Sequence, residues 1–148
     1  MDSRLRRIAD YLLARAAADE VRPAEIGAAL LPLLYVLDVE RPGGAGLRLR
    51  VRLIGTALNR VFGRRLEGLY MEDFLHGPRG AEVIEGFHDS ALRRAPCWMR
   101  QVVRIKDKLP RFVEGVAIPL APDRLYGGLL IGELAIGQDA QPFERVML

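Results

Sequence analysis

The chain predicts an α+β domain: a five-stranded antiparallel sheet with helices on one face, preceded by an amphipathic helix. Three observations carry this expectation. Leu47, Leu49, Val51 and Leu53 alternate with Arg48, Arg50 and Arg52, the period-two pattern of a strand with one face on a core and one in water. Helical spacing then takes over from Ala57 and returns through Ile84, Phe87, Ala91 and Leu92, so the helices gather in the middle of the chain. From Cys97 onward three strand candidates follow one another across short turns, and strands joined that way pair antiparallel.

Taken in order, residues 3–18 form the amphipathic helix, with Ser3 as N-cap and Leu5, Ile8, Ala9, Leu12 and Ala16 as its stripe. A helix of this length is marginal alone in water, so it must pack on something. Pro23 suits the first turn of a second helix through Ile26, Ala29 and Leu30, which Pro32 limits. Leu33 to Glu40 reads as a strand, and the glycine-rich turn from Pro42 to Gly46 makes a hairpin with the Leu47 strand.

Gly55-Thr56 ends the alternation; Ala57, Leu58, Val61 and Phe62 form a helix that stops at Gly63, and Tyr70 to Leu75 makes a short helical turn. His76-Gly77-Pro78 is a loop, and residues 79–94 form the longer helix, ended by Pro96. The last three strands are Cys97 to Lys106, Arg111 to Leu120 and Gly127 to Ile136, with turns at Asp107 to Pro110 and at Pro122-Asp123. Gln138 to Leu148 has no clear period and is expected to fray or form a short helix. The expected division is a flanking helix over 1–20, a domain over 21–138 and a tail over 139–148.

Composition narrows the class. At 148 residues one domain is the default, and 50% hydrophobic with 28% charged residues is ordinary for a globular chain. The net charge of +3 comes from scattered arginines rather than one basic stripe with aromatics between, so nucleic acid is not an expected partner. The single cysteine, Cys97, excludes an internal disulfide and fits a reducing compartment. No apolar run approaches the ~20 residues of a membrane span, and Asp10 and Arg15 interrupt what would otherwise resemble a signal peptide. A cytoplasmic protein without membrane contact is expected.

The segment Arg52-Leu53-Ile54-Gly55-Thr56, followed by Phe62-Gly63-Arg64, Leu66, Gly68 and Asp73, resembles the opening half of a PAS domain. The likeness is to short, stand-alone PAS proteins of alphaproteobacteria, with an R-x-x-G-T then F-G-R-x-L-x-G pattern. Val113-Glu114 to Pro119-Leu120 is similar to a family strand ending in L-P-L. The resemblance implies a five-stranded antiparallel sheet whose helices enclose a small cavity, and a sensory or regulatory role. It also implies that the flanking helix can dimerise, through Leu5, Ile8 and Leu12, as an alternative to docking on its own domain. Helices on both sides of the sheet would count against the family.

Some PAS domains bind haem through a histidine on the long helix. His88 lies about a turn nearer the helix end than that ligand and is expected instead as a half-buried boundary residue. The photoactive relatives use a cysteine among the short helices, where this chain has Tyr70 to Leu75; Cys97 is expected as a buried structural thiol. No cofactor is expected.

No metal site is expected, since His76, His88 and Cys97 lack the spacing of ligand pairs. His88-Asp89-Ser90 cannot act as a triad, because neighbours in a helix project from different faces. Gly43-Gly44 and Gly127-Gly128 read as turns, with no phosphate-loop lysine after either. The chain is therefore not expected to be an enzyme.

What remains is a pocket. If Met99, Val103 and Ile105 point inward, so does Gln101, whose amide needs a partner. It either anchors a small apolar ligand with Asn59, Phe62, Phe87 and Met99 around it, or bonds to backbone or water. The expected function is a PAS-type module acting by protein–protein contact, as a homodimer or with a signalling partner. Its surfaces would be the first helix and the outward sheet face with Trp98 and Val102, which a docked helix would cover. The alternative is a cone-shaped α+β enzyme or carrier with Glu114 or Glu133 inside a deep apolar cavity.

Overall fold

The computed structural model describes residues 1–16, 21–44, 46–75, 77–103, 111–133 and 144–148. The loop residue His76, Ile105, the turn from Asp107 to Pro110 and tail residues 139–143 lie outside the described residues, as do the side chains of Val103 and Glu133.

The architecture is α+β. Helix α1 (Ser3–Arg15) precedes strands β1 (Leu34–Glu40) and β2 (Arg48–Ile54). Then come helices α2 (Thr56–Phe62), α3 (Met71–Phe74) and α4 (Gly77–Arg93), and strands β3 (Cys97–Val103), β4 (Arg111–Pro119), β5 (Arg124–Glu133) and β6 (Glu144–Met147). The strands form one antiparallel sheet in the order β2-β1-β5-β4-β3-β6.

The expected count of five strands is thus corrected to six among the described residues. Glu144–Met147, expected to fray or turn helical, pairs with β3 in the register Trp98 to Val146 and Cys97 to Met147. β5 also begins earlier than its sequence pattern suggests, at Arg124, so Gly127-Gly128 is strand interior rather than a turn. The second helix reduces to two 3-10 turns, Pro23–Ile26 and Leu31–Leu33. Gly27 between them takes φ of 96°, a left-handed backbone that no helix continues through. The N-cap of α1 is Asp2, whose carboxylate accepts the Arg4 amide at 2.8 Å, not Ser3.

Each face of the sheet has its own apolar layer. On one, Tyr35, Leu37, Leu49, Val51, Val113 and Ala117 meet Leu58 of α2, Met71 of α3, and Val83, Phe87 and Ala91 of α4. The middle helices therefore all lie on one side. On the other, Val116 and Ile118 meet Leu5, Ile8, Ala9 and Leu12 of α1, with Ile26 and Leu30 beside them. Helical cover is thus not confined to one face: α1 and the 3-10 turns occupy the second.

Gly127 and Gly128 make both contacts possible. A Cβ on Gly127 would overlap the Val116 carbonyl and the Tyr35 hydroxyl, while one on Gly128 would sit 2.7 Å from Cδ1 of Ile8. Among the described residues, no helix is long and apolar enough to cross a membrane.

Candidate functional site

An apolar cavity of about 50 Å³ lies between the sheet and α2, α3 and α4. Tyr35, Val51, Val113 and Ile131 face it from the strands; Phe62, Phe74 and Phe87 face it from the helices. The strand alternation puts Tyr35 and Leu37 of β1 on the same side as Leu49 and Val51 of β2, and α4 presents Val83 and Phe87 one turn apart. Rings close the space edge to face: Tyr35 meets Phe87 at 5.6 Å between centroids, and Phe62 meets Phe74 at 5.5 Å. Tyr35 donates its hydroxyl to the Val116 carbonyl at 2.7 Å, and burial holds that hydroxyl well above the usual phenol range. It stays neutral, so the cavity wall carries no charge.

The expected ligand residues divide. Phe62 and Phe87 line the cavity. Met99 is buried on the same side but packs beneath Gly86 of α4, away from the wall. Asn59 is half-buried and holds the chain after α2, its Oδ1 accepting the Leu66 amide at 3.3 Å.

Gln101 is 2% exposed, and among the described residues neither its Oε1 nor its Nε2 has a hydrogen-bond partner. It stands opposite Val113, which stands opposite Ile131, so the amide is one strand from the first of these cavity-wall residues and two strands from the second. The pattern of β3 revealed Gln101. The contributions of Tyr35, Val113 and Ile131 become visible only once strand pairing fixes which faces adjoin.

The other chemical candidates are accounted for. His88 is half-buried, with Nε2 3.1 Å from Oε1 of Glu72, whose carboxylate also accepts the Leu49 amide at 3.0 Å. Asp89 pairs with Arg145 at 3.3 Å, and Ser90 donates to the Ala95 carbonyl at 2.6 Å, so the three neighbours point three ways. Cys97 is fully buried, and burial pushes its thiol up to about 11. Among the described residues no cluster of three or more metal-ligating side chains exists.

Glu114, the carboxylate of the enzyme alternative, is buried on the α1 face rather than in the apolar cavity. It borders a separate cleft of about 350 Å³ with Asp2, Arg4 and Phe112. Its Oε1 accepts the Trp98 indole at 2.9 Å and the Asp2 amide at 2.8 Å, which ties β4 to β3 and to the start of α1.

The expected interface residues also divide. Leu5, Ile8 and Leu12 are 0% exposed against the chain's own sheet. Their place is corrected from interface to core, because this packing leaves none of their surface for a partner. Trp98 and Val102 are half-buried on the outward face; α1 lies over β4 and β5 rather than over their strand.

The arginines of β2 are matched singly by acids. Arg50 meets Glu40 at 3.3 Å, Arg52 meets Asp38 at 3.4 Å, and Arg48 meets Asp73 at 3.1 Å while stacking on Tyr70.

No model of a known protein family matches the chain, and no curated protein matches it.

Proposed function

We infer that the chain is a PAS-type regulatory module that signals through protein contact, with a small uncharged ligand taken up between its sheet and short helices. The observation that carries this is the pairing of a wholly apolar cavity with the unpartnered amide of Gln101 beside its wall. Leaving a buried amide unsatisfied costs about 1–3 kcal/mol, a cost a ligand can remove. Further support comes from the antiparallel sheet with α2, α3 and α4 on one side, the arrangement that the family resemblance implies, while α1 and the 3-10 turns on the other side count against that family.

A cavity of about 50 Å³ admits only a few heavy atoms. A larger guest must displace one wall, and α3 is the weakest part of it. That helix is a single turn, Met71–Phe74, with no side-chain cap at its start. Glu72 on this turn also holds the Leu49 amide of β2 and His88 of α4. Displacing α3 would disturb both, and this is the route by which occupancy would reach the surface.

Native mass spectrometry of the purified protein tests the proposal. A retained small molecule, lost in Gln101→Leu while the fold persists, is the expected result. Bare chain mass in both proteins, across preparations from cells and after incubation with a panel of small amides and neutral acids, would overturn it.

The enzyme or carrier alternative draws on the buried Glu114 beside its cleft. It requires that carboxylate to be freed from Trp98 and Asp2, and Glu114→Gln would then abolish an activity rather than merely loosen α1.

A further inference from the structure

We propose that the outer edge of β2 is a strand-docking site held shut by the chain's own residues 68–72, and that its partner is an extended acidic segment. The Val39 amide donates to the Asp123 carbonyl on the β5 side, so Asp38 and Glu40 turn toward β2 and meet Arg50 and Arg48. The backbone groups of Leu49 and Val51 therefore point outward. What they meet is not a regular strand. The Val51 amide donates to the Leu69 carbonyl and the Val51 carbonyl accepts from Gly68, both at 2.8 Å, while Tyr70 bridges Arg50 antiparallel. At Leu49 a side chain stands in for main chain: the Glu72 carboxylate accepts the amide at 3.0 and 3.2 Å.

The same segment brings its own charges to the arginines beside those groups. Asp73 pairs with Arg48 at 3.1 Å. The Tyr70 ring lies 3.7 Å from the Arg48 guanidinium carbon, and its hydroxyl oxygen accepts from Arg50 at 2.7 Å. An occupant of this edge must offer carboxylates beside an extended backbone, and residues 68–73 are the pattern for it. Exposed strand edges are templates for such addition, and the chain covers this one with a stretch that imitates a partner.

Three features make the closure releasable. α3 is one turn with no side-chain cap at its start. The Arg48–Asp73 pair is exposed, 39% and 62% by side chain, so breaking it costs little. Gly68 takes φ of 85° in open space, so the chain can swing there while Leu66 stays buried, its amide held by Asn59. On the cavity reading above, on which this trigger rests, a guest that displaces α3 draws Glu72 off Leu49 and Asp73 off Arg48. Outward backbone groups then stand beside an arginine that has lost its acid, and an acidic strand complements both.

The test uses the full chain and a dye-labelled peptide copied from its own residues 67–73. Fluorescence anisotropy is expected to show this peptide binding the double variant Tyr70→Ala, Glu72→Ala at least about ten-fold tighter than the wild type, whose site is filled. Converting the side-chain carboxylates of the peptide to amides should weaken that binding at least about ten-fold. Separately, Glu72→Gln should speed hydrogen exchange at the Leu49 and Val51 amides together, at least about five-fold, with Val39 unchanged, because the segment leaves as a unit. The exchange comparison decides where the double variant does not fold. Equal affinity for the two proteins, indifference to the carboxylates of the peptide, or faster exchange at Leu49 alone would overturn the proposal. Self-association of the double variant that the peptide does not compete away would assign the edge to a second copy and overturn the acidic partner. A small molecule retained in native mass spectrometry beside any of these results leaves the cavity reading standing and removes only the docking edge.

Discussion

On one face of the sheet, Leu5, Ile8 and Leu12 of α1 are fully buried against Val116 and Ile118, and Gly128 brings Ile8 down onto the strand itself. On the other face, three helices share the cover, and between them and the strands remain a cavity of about 50 Å³ and an amide with no partner. Both faces bury comparable side chains, so hydrophobicity does not separate them. The difference lies in how the helices are held. α1 is thirteen residues long with an Asp2 cap, whereas α2 and α3 are seven and four residues long and have no side-chain cap. A long capped helix can settle its whole stripe on a strand pair, while short turns meet the sheet at points and leave gaps.

The contrast can be broken most forcefully at the tandem glycines. Gly127→Ala sets a methyl group against a backbone carbonyl and the Tyr35 hydroxyl, and a loss of at least about 3 kcal/mol is expected. Gly128→Ala meets the movable side-chain ends of Ile8 and Leu5, so about 1 kcal/mol is expected. Urea denaturation of the two variants measures the difference, and equal losses would refute the distinction.

Alkali probes the cavity side next. Burial raises the Cys97 thiol from 9.0 to about 11. As pH rises past 9 the unfolded chain ionises first, so the folded state loses stability between about 9 and 11, by on the order of 2 kcal/mol from this group. The raised Tyr35 hydroxyl acts in the same direction at higher pH. Stability measured against pH should fall less steeply through that window in Cys97→Ala.

Gln101→Leu removes two unsatisfied polar atoms and should raise stability by about 1–2 kcal/mol, read as a higher thermal midpoint. A lower midpoint would mean that the amide has a partner in solution. The finest comparison adds one methylene on each side. Val113→Ile extends into the cavity and should stabilise by about 0.5–1 kcal/mol, whereas Val116→Ile presses on α1 and should destabilise by about 1 kcal/mol. Opposite signs in parallel melts sharpen the contrast; equal signs remove it.

Sequence pattern carried much of this architecture, and its failures have physical causes. The stripe of Leu5, Ile8, Ala9 and Leu12 and the alternation of β2 were legible because each is written into a single element. Gly127-Gly128 read as a turn because adjacent glycines usually mark one; the reason for them here lies in Tyr35 and Ile8, far away in sequence. β6 escaped notice because four residues, two of them charged, give too short a period. In the candidate site, Phe62, Phe87 and the inward Gln101 were legible from spacing. Asn59 and Met99 are not among the residues that line the cavity, because periodicity assigns a face and not a depth along it. Leu5, Ile8 and Leu12 were ambiguous for a related reason, since an apolar stripe does not reveal whose surface it meets.

The consecutive glycines also set how thick the molecule is at its centre. Tyr35 rests on one of them from the cavity side and Ile8 on the other from beneath α1, with only main chain between the two side chains. Elsewhere a disturbance crossing the sheet must pass through interlocked side chains, which can absorb it by turning. Here a tilt of the tyrosine ring would press on a bare peptide plane, and the first helix would feel it directly.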